Sequence, residues 1–332
     1  MLASADQLSS LTIKPLKALC AAHGIDHGLS GKKKSEHVQR LLTIKKCKGN
    51  NGLLGAYLEL CKLRMPRIRF EAHSLEGING ATRHTFSNYV EDHVLAAAGE
   101  ARLVACGLWG RLRSYQREGV LRALRMGGTC LIADEMGLGK SLTALAIVAA
   151  LDAWPCLAIV PAVCRRGWAE EAERWLGGLL APSDIHVVYD QFGALEEGRP
   201  VPRLVLVSPK MADFTHQHAS LARRSWGSCI LDEAHACITT NALRAEESDQ
   251  TKALMQLLKL IPHRLLLTGT PAVAKAFDSF NQVQLLRPGL LGVNKFEFRH
   301  RFFDEATGAC KLPRQLPLLL HRFVMIRRTK AQ

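Results

Sequence analysis

Leu131-Ile132-Ala133-Asp134-Glu135-Met136-Gly137-Leu138-Gly139-Lys140-Ser141 is the stretch that decides how this chain folds. A short apolar run from Cys130 to Ala133 stops at two carboxylates, and a glycine-rich turn then leads into Lys-Ser and a further apolar segment. A phosphate-binding loop needs that order. Glycines let backbone N–H groups converge on an anion, a lysine reaches the outer phosphates, and a serine hydroxyl can sit on Mg²⁺. In the pattern G-x-x-x-x-G-K-[ST] the first position is glycine, and here it is Asp134. The plain alternative is a strand-to-helix turn that merely contains glycines.

From Leu112 onward the chain alternates between strand-like and helix-like patterns. Apolar runs of strand length occur near Cys130–Ala133, Cys156–Val160, His186–Tyr189, Leu204–Val207, Cys229–Leu231 and Arg264–Leu267. Between them Trp168, Trp175 and Leu176 fall on one helical face, and Leu254, Leu257, Leu258 and Ile261 on another. Such alternation predicts an α/β fold whose parallel sheet is covered by helices on both faces, with ligands at the carboxyl ends of the strands. The most membrane-like window, Leu142 to Val163, is broken by Asp152 and Trp154-Pro155 and reads as a helix followed by a strand. No membrane partner is expected.

A second chemical signal lies downstream. Cys229-Ile230-Leu231-Asp232-Glu233-Ala234-His235 is an apolar strand ending in Asp-Glu. A carboxylate at a strand end can hold the Mg²⁺ of a bound nucleotide, the role expected of Asp232; a neighbouring carboxylate, Glu233, can activate water. After the next apolar run comes Thr268-Gly269-Thr270-Pro271, a turn able to hydrogen-bond the Asp232–His235 segment and to sense the γ-phosphate. Upstream, Gln116 carries an amide that donates and accepts together, as the edge of adenine requires.

Taken in order, these segments resemble the first RecA-like lobe of the Swi/Snf-type translocases of helicase superfamily two. The residues that carry the resemblance are Tyr115 to Val120, Ala133 to Ser141, Ile159 to Pro161, Ser208 to Lys210, Asp232 to His235 and Leu267 to Pro271. The family also has aspartate at the irregular loop position. Within it the chain is most similar to the HARP-like annealing helicases, through Trp168 to Leu176, the compact interval from Asp232 to Thr270, and Phe323 to Lys330. The resemblance implies an ATP-dependent DNA translocase, either annealing helicase or chromatin-remodelling ATPase, acting on duplex or forked DNA in the nucleus, with ATP and Mg²⁺ as ligands. By position, Gln116 would contact adenine, and Asp134, Gly137, Leu138, Gly139, Lys140 and Ser141 would bind the nucleotide. Ser141 and Asp232 would hold Mg²⁺, with Lys140, Asp232 and Glu233 as the catalytic set. His235, Thr268, Gly269 and Thr270 would couple nucleotide state to DNA. Pro161, Ser208 and Lys210 would touch DNA phosphates. After His235 the family usually continues with a basic, asparagine-containing turn, whereas this chain has Ala236-Cys237-Ile238-Thr239-Thr240-Asn241.

The resemblance also implies a second lobe that supplies an arginine finger, worth several orders of magnitude in rate. The quoted sequence stops at Gln332, just after Arg327-Arg328-Thr329-Lys330. This polypeptide is therefore expected to bind Mg²⁺–ATP and DNA and to turn over slowly by itself. The alternative reading is a non-catalytic nucleotide- and DNA-binding protein.

Three regions are expected: 5–45, 46–108 and 109–332. In the first, Leu8, Leu11, Leu16 and Leu19 form an apolar face up to Gly24, and a second amphipathic segment follows Lys32-Lys33-Lys34. It resembles the SAP module, a helix-extended-helix DNA-binding unit, through Leu16, Leu19, Gly24, Ile25, Lys34, Glu36, Arg40 and Leu41, although its loop is longer and His37 stands where leucine is usual. Lys32, Lys33 and Lys34 would then contact phosphates without reading bases. An accessory hairpin with a solvated basic face is the alternative. Residues 46–108 read as linker and accessory sequence, with possible helices over Leu53–Arg64 and Ser87–Ala98; the lysine cluster at 45–48 also suits nuclear import.

Charge agrees with a polyanionic partner. The chain has 332 residues with 44 Lys+Arg against 30 Asp+Glu, a formal charge of +14. The excess is concentrated at the ends: nine basic against three acidic residues in 1–50, and the same ratio in 295–330. Such a balance favours nucleic acid or an anionic membrane surface, and the broken window at 142–163 leaves nucleic acid. Ten cysteines at irregular spacings, with no C-x-x-C pair, are expected to be reduced core residues of an intracellular protein.

Overall fold

The structure, a computed structural model, describes residues 91–330 except 191–194, 196–197, 199, 214, 241–246, 271–275 and 305–306. The basic segment containing Lys32, Lys33 and Lys34, with the rest of the SAP-like region, lies outside the described residues. In chain order the strands are β1 (Cys130–Ile132), β2 (Cys156–Ile159), β3 (Ile185–Val187), β4 (Leu204–Val207), β5 (Ser228–Leu231), β6 (His263–Leu267) and β7 (Met325–Ile326). The helices that matter below are α1 (His93–Ala105), α2 (Ser114–Arg125), α3 (Lys140–Leu151), α4 (Arg165–Leu176), α5 (Pro209–Asp213), α6 (Ala234–Cys237) and α7 (Asp249–Lys259).

All seven strands lie in one sheet, in the order β3-β4-β2-β5-β6-β1-β7, and every pairing is parallel. Parallel strands are buried on both faces, which is why they read as continuous apolar runs. Side chains alternate across the sheet. Cys130, Ile132, Cys156, Ala158, Ile230, Leu265 and Leu267 pack into one core with α1 to α4. The intervening Leu131, Leu157, Ile159, Cys229, Leu231 and Leu266 are buried on the opposite side. The membrane-like window resolves as expected into α3 and β2. In α3 every residue from Leu142 to Leu151 is buried, as befits a helix that is apolar all round. Among the described residues no helix is long and apolar enough to cross a membrane.

The core starts earlier than residue 109. Asp92 caps α1, its Oδ1 accepting from Leu95 N at 2.7 Å. Arg102 Nη1 then donates to Ala150 O at 2.7 Å, and Gly99 lies so close that an added Cβ would stand 2.5 Å from Leu124 Cδ1. A helix from the stretch read as linker and accessory sequence thus packs against α2 and α3. Strand β7 was not expected either. Its two residues carry no periodicity, and they pair with β1 through Leu131 and Ile132.

Candidate nucleotide and metal site

Strand order brings the chemistry together. β5, β6 and β1 are neighbours, with Leu231 opposite Leu266 and Ile132 opposite Leu267. Their carboxyl ends therefore release Asp232-Glu233, Thr268-Gly269-Thr270 and the glycine loop side by side.

The loop from Asp134 to Gly139 has the backbone its sequence demands. Gly137 and Gly139 have φ of +88° and +72°, where a side chain would be strained, and Gly139 is the N-cap of α3. A Cβ on Gly139 would also stand 2.7 Å from Gln116 Nε2. Lys140 Nζ donates to Asp134 O at 3.1 Å, which leaves further N–H donors for an anion. A Cβ on Gly269 would lie 3.8 Å from Lys140 Nζ and 2.9 Å from Met136 Cγ, so the turn after β6 closes directly on the loop.

Asp134 explains itself in this setting. It is 0% exposed, and its carboxylate grips Arg328 just beyond β7. Arg328 N and Nε donate to Oδ1 at 3.0 and 2.9 Å, and Nη2 donates to Oδ2. Glu135 N donates to Arg328 O at 2.9 Å, and Lys330 N to Glu135 Oε2 at 2.8 Å. The Arg328 guanidinium also lies 5.5 Å from the Tyr115 ring. It occupies the space left by Gly119, where a Cβ would come within 2.5 Å of Nη2. Asp134 shapes the loop through its backbone, while its side chain faces inward. Tyr115 and Gln116 brace the loop from α2, Tyr115 Oη donating to Leu138 O at 3.2 Å and Gln116 Nε2 to Gly139 O at 3.5 Å. Gln116 is 4% exposed and its Oε1 accepts from Arg113 N, so both ends of the amide are engaged within the protein.

At the end of β5, Asp232 Oδ1 accepts from Glu233 N at 2.9 Å and Oδ2 from Trp168 Nε1 at 3.1 Å. Glu233 sits at φ 48°, a left-handed position uncommon outside glycine and frequent at functional sites. His235 Nδ1 lies 2.8 Å from Thr268 Oγ1 and 3.3 Å from Glu233 Oε2. Thr268 Oγ1 in turn donates to Thr270 O, which makes it the acceptor for His235 Nδ1–H. The expected hydrogen bond between the Thr268–Thr270 turn and the Asp232–His235 segment is therefore present. Negative charge concentrates here. Burial first, then Asp232 and Glu233, push the Cys237 thiol up to about 12. The Glu171 carboxyl is raised by burial first and also by Asp232.

Among the described residues no cluster of three or more His, Cys, Asp or Glu side chains could hold a metal ion alone. Ser141 follows Lys140 at the start of α3, and Asp232 directly follows β5; each side chain carries a hard oxygen donor. On the remaining strand ends, the half-buried Pro161 and the exposed Lys210 follow β2 and β4. Ser208 is 5% exposed, and its hydroxyl accepts from Met211 N in the first turn of α5.

Sequence reasoning did not foresee the grip of Asp134 on Arg328, the space left by Gly119, or the indole donor on Asp232. Each joins residues far apart in the chain, and the only local signal was the aspartate where glycine is usual.

Known proteins now bear on the site. The human DNA annealing helicase and endonuclease ZRANB3 is 28% identical over 214 residues, 63% of this chain and 19% of that protein. A Caenorhabditis elegans SWI/SNF-related matrix-associated actin-dependent regulator of chromatin subfamily A-like protein 1 homolog is 31% identical over 234 residues, 67% of this chain and 31% of its own. The Sulfolobus solfataricus SWI2/SNF2 ATPase core in complex with dsDNA superposes with a TM-score of 0.52 at 24% identity, covering 67% of this chain and 45% of that one, and so shares the fold. The chain thus spans less than a third of the length of these two relatives. The family model for the SNF2-related domain matches residues 115–332, well over half of the chain, and this protein belongs to that family.

Proposed function

We propose that this chain is the ATP-binding lobe of a DNA-dependent ATPase that moves along or remodels duplex or forked DNA in the nucleus. The observation that carries this reading is the side-by-side release of Lys140-Ser141, Asp232-Glu233 and Thr268–Thr270 from three neighbouring strands. Lys140 and the N–H groups of the 137–139 turn hold phosphates. Ser141 and Asp232 hold Mg²⁺, which when bound neutralises charge developing on the phosphoryl oxygens. Glu233 accepts a proton from the attacking water. The Glu233–His235–Thr268 chain ties that carboxylate to the Gly269 turn, which touches the loop, so a change at the phosphates reaches the segment after β6. Gln116 braces the loop at Gly139 O, and adenine recognition through it requires the amide to exchange a protein partner for the base. DNA engagement is assigned to Lys210 and the Pro161 turn and, in the amino-terminal segment, to Lys32, Lys33 and Lys34. The names of the matched relatives, an annealing helicase and a chromatin regulator, support a DNA substrate.

The test is steady-state ATP hydrolysis with and without forked DNA. DNA-stimulated turnover is expected, and Lys140→Ala should remove it by at least about a hundredfold. Mg²⁺–nucleotide and DNA binding without any stimulated turnover would replace this reading with that of a non-catalytic binding protein.

A further inference from the structure

Helix α4 begins one turn after β2, whose neighbour in the sheet is β5. There Trp168, 4% exposed, points its indole Nε1–H at Asp232 Oδ2, 3.1 Å away. The other carboxylate oxygen accepts from Glu233 N. One donor on each oxygen fixes the rotation of the carboxylate about its side-chain bonds, so the direction of its remaining lone pairs is set without a ligand. Packing alone does not call for this. A phenylalanine ring would fill much the same space in the core of α4, Ala172 and Leu176, whereas a buried indole N–H needs an acceptor. The acceptor it has is the carboxylate assigned to Mg²⁺.

We propose that Trp168 is a positioning residue for the metal–nucleotide complex, its indole N–H holding the Asp232 carboxylate in the orientation that receives Mg²⁺. The proposal rests on the ATP-binding reading above. Groups that orient metal ligands by hydrogen bonds are worth roughly 10- to 100-fold in metal affinity, and a single neutral N–H belongs at the lower end.

The experiment measures binding of a fluorescent ADP analogue to the full chain as Mg²⁺ is titrated, with a parallel series in EDTA. Wild type should bind with a clear Mg²⁺ midpoint; no binding at all would instead refute the ATP-binding reading. Trp168→Phe should raise that midpoint about tenfold, leave affinity in EDTA unchanged, and add nothing further on top of Asp232→Asn. An unchanged midpoint, or an equal loss with and without Mg²⁺, would overturn the proposal, the latter marking a packing role. A second readout needs no change in the core of α4. Among the five tryptophans, one indole ¹⁵N–¹H resonance should move in Asp232→Ala and again when wild type takes up Mg²⁺–ADP. If neither moves an indole resonance, the proposal fails.

Discussion

Burying a carboxylate is costly unless a cation meets it with good geometry, and breaking such a pair from one side is costlier than replacing both partners. Asp134 and Arg328 satisfy the first condition: three donors of one arginine converge on one fully buried carboxylate. Glycine at that position would leave the guanidinium without its anion, so this loop departs from the usual phosphate-loop pattern for a packing reason. Arg328→Ala should therefore destabilise the lobe by about 3–5 kcal/mol in denaturant unfolding, while Asp134→Leu combined with Arg328→Met should recover most of that loss. Equal destabilisation by the single and double variants would show that the ion pair is not what holds loop and strand together. The left-handed Glu233 is a second residue whose backbone is set by its place. Its φ could not be read from the sequence.

Strands were the most legible elements. Six of the seven were foreseen to within one or two residues, because a strand buried on both faces must be apolar throughout. β7 escaped notice because two residues carry no pattern, and because its partner β1 is almost two hundred positions away in sequence. Within the described part of the helix looked for over Ser87–Ala98, α1 begins at His93, where the capping carboxylate is Asp92. One strand carries a pH dependence. His263 opens β6, with Nδ1 3.0 Å from Gly127 O, and burial, the largest effect, lowers its pKa from the ordinary imidazole value, with Arg264 also lowering it and the Gly127 hydrogen bond opposing. A lowered folded-state pKa means that the unfolded chain takes up the proton more readily. The contribution of His263 to stability is thus complete above the ordinary range near 6.5 and is lost as pH falls through the lowered value. Melting temperature followed from pH 8 to 5 should fall more steeply for wild type than for His263→Gln; parallel curves would assign the acid sensitivity elsewhere.

For the molecule as a whole, the order of motifs along the chain was more informative than any one of them. The apolar runs implied a parallel sheet, such a sheet places its ligands at strand ends, and the loop, Asp232-Glu233 and Thr268–Thr270 each follow a run. What could not be read was how those ends are braced, because Trp168–Asp232 and Asp134–Arg328 depend on which strands are neighbours. Charge is the remaining property of the full chain, and +14 has a measurable consequence. Each phosphate contact releases condensed counterions, so log K for duplex DNA should fall linearly with log salt at about 0.9 per contact. Lys210 stands exposed at the end of β4, on the edge of the sheet where the nucleotide motifs also emerge. If it meets a phosphate, Lys210→Ala should weaken binding equally on unrelated sequences and flatten the salt slope by about 1. Replacing Lys32, Lys33 and Lys34 together by alanine should flatten it by up to about 3, since each removes at most one contact. Fluorescence anisotropy with a labelled duplex between 50 and 300 mM salt measures both slopes. A wild-type affinity indifferent to salt would rule out phosphate contacts as the basis of binding, and an unchanged slope in Lys210→Ala would move the contact surface away from the end of β4.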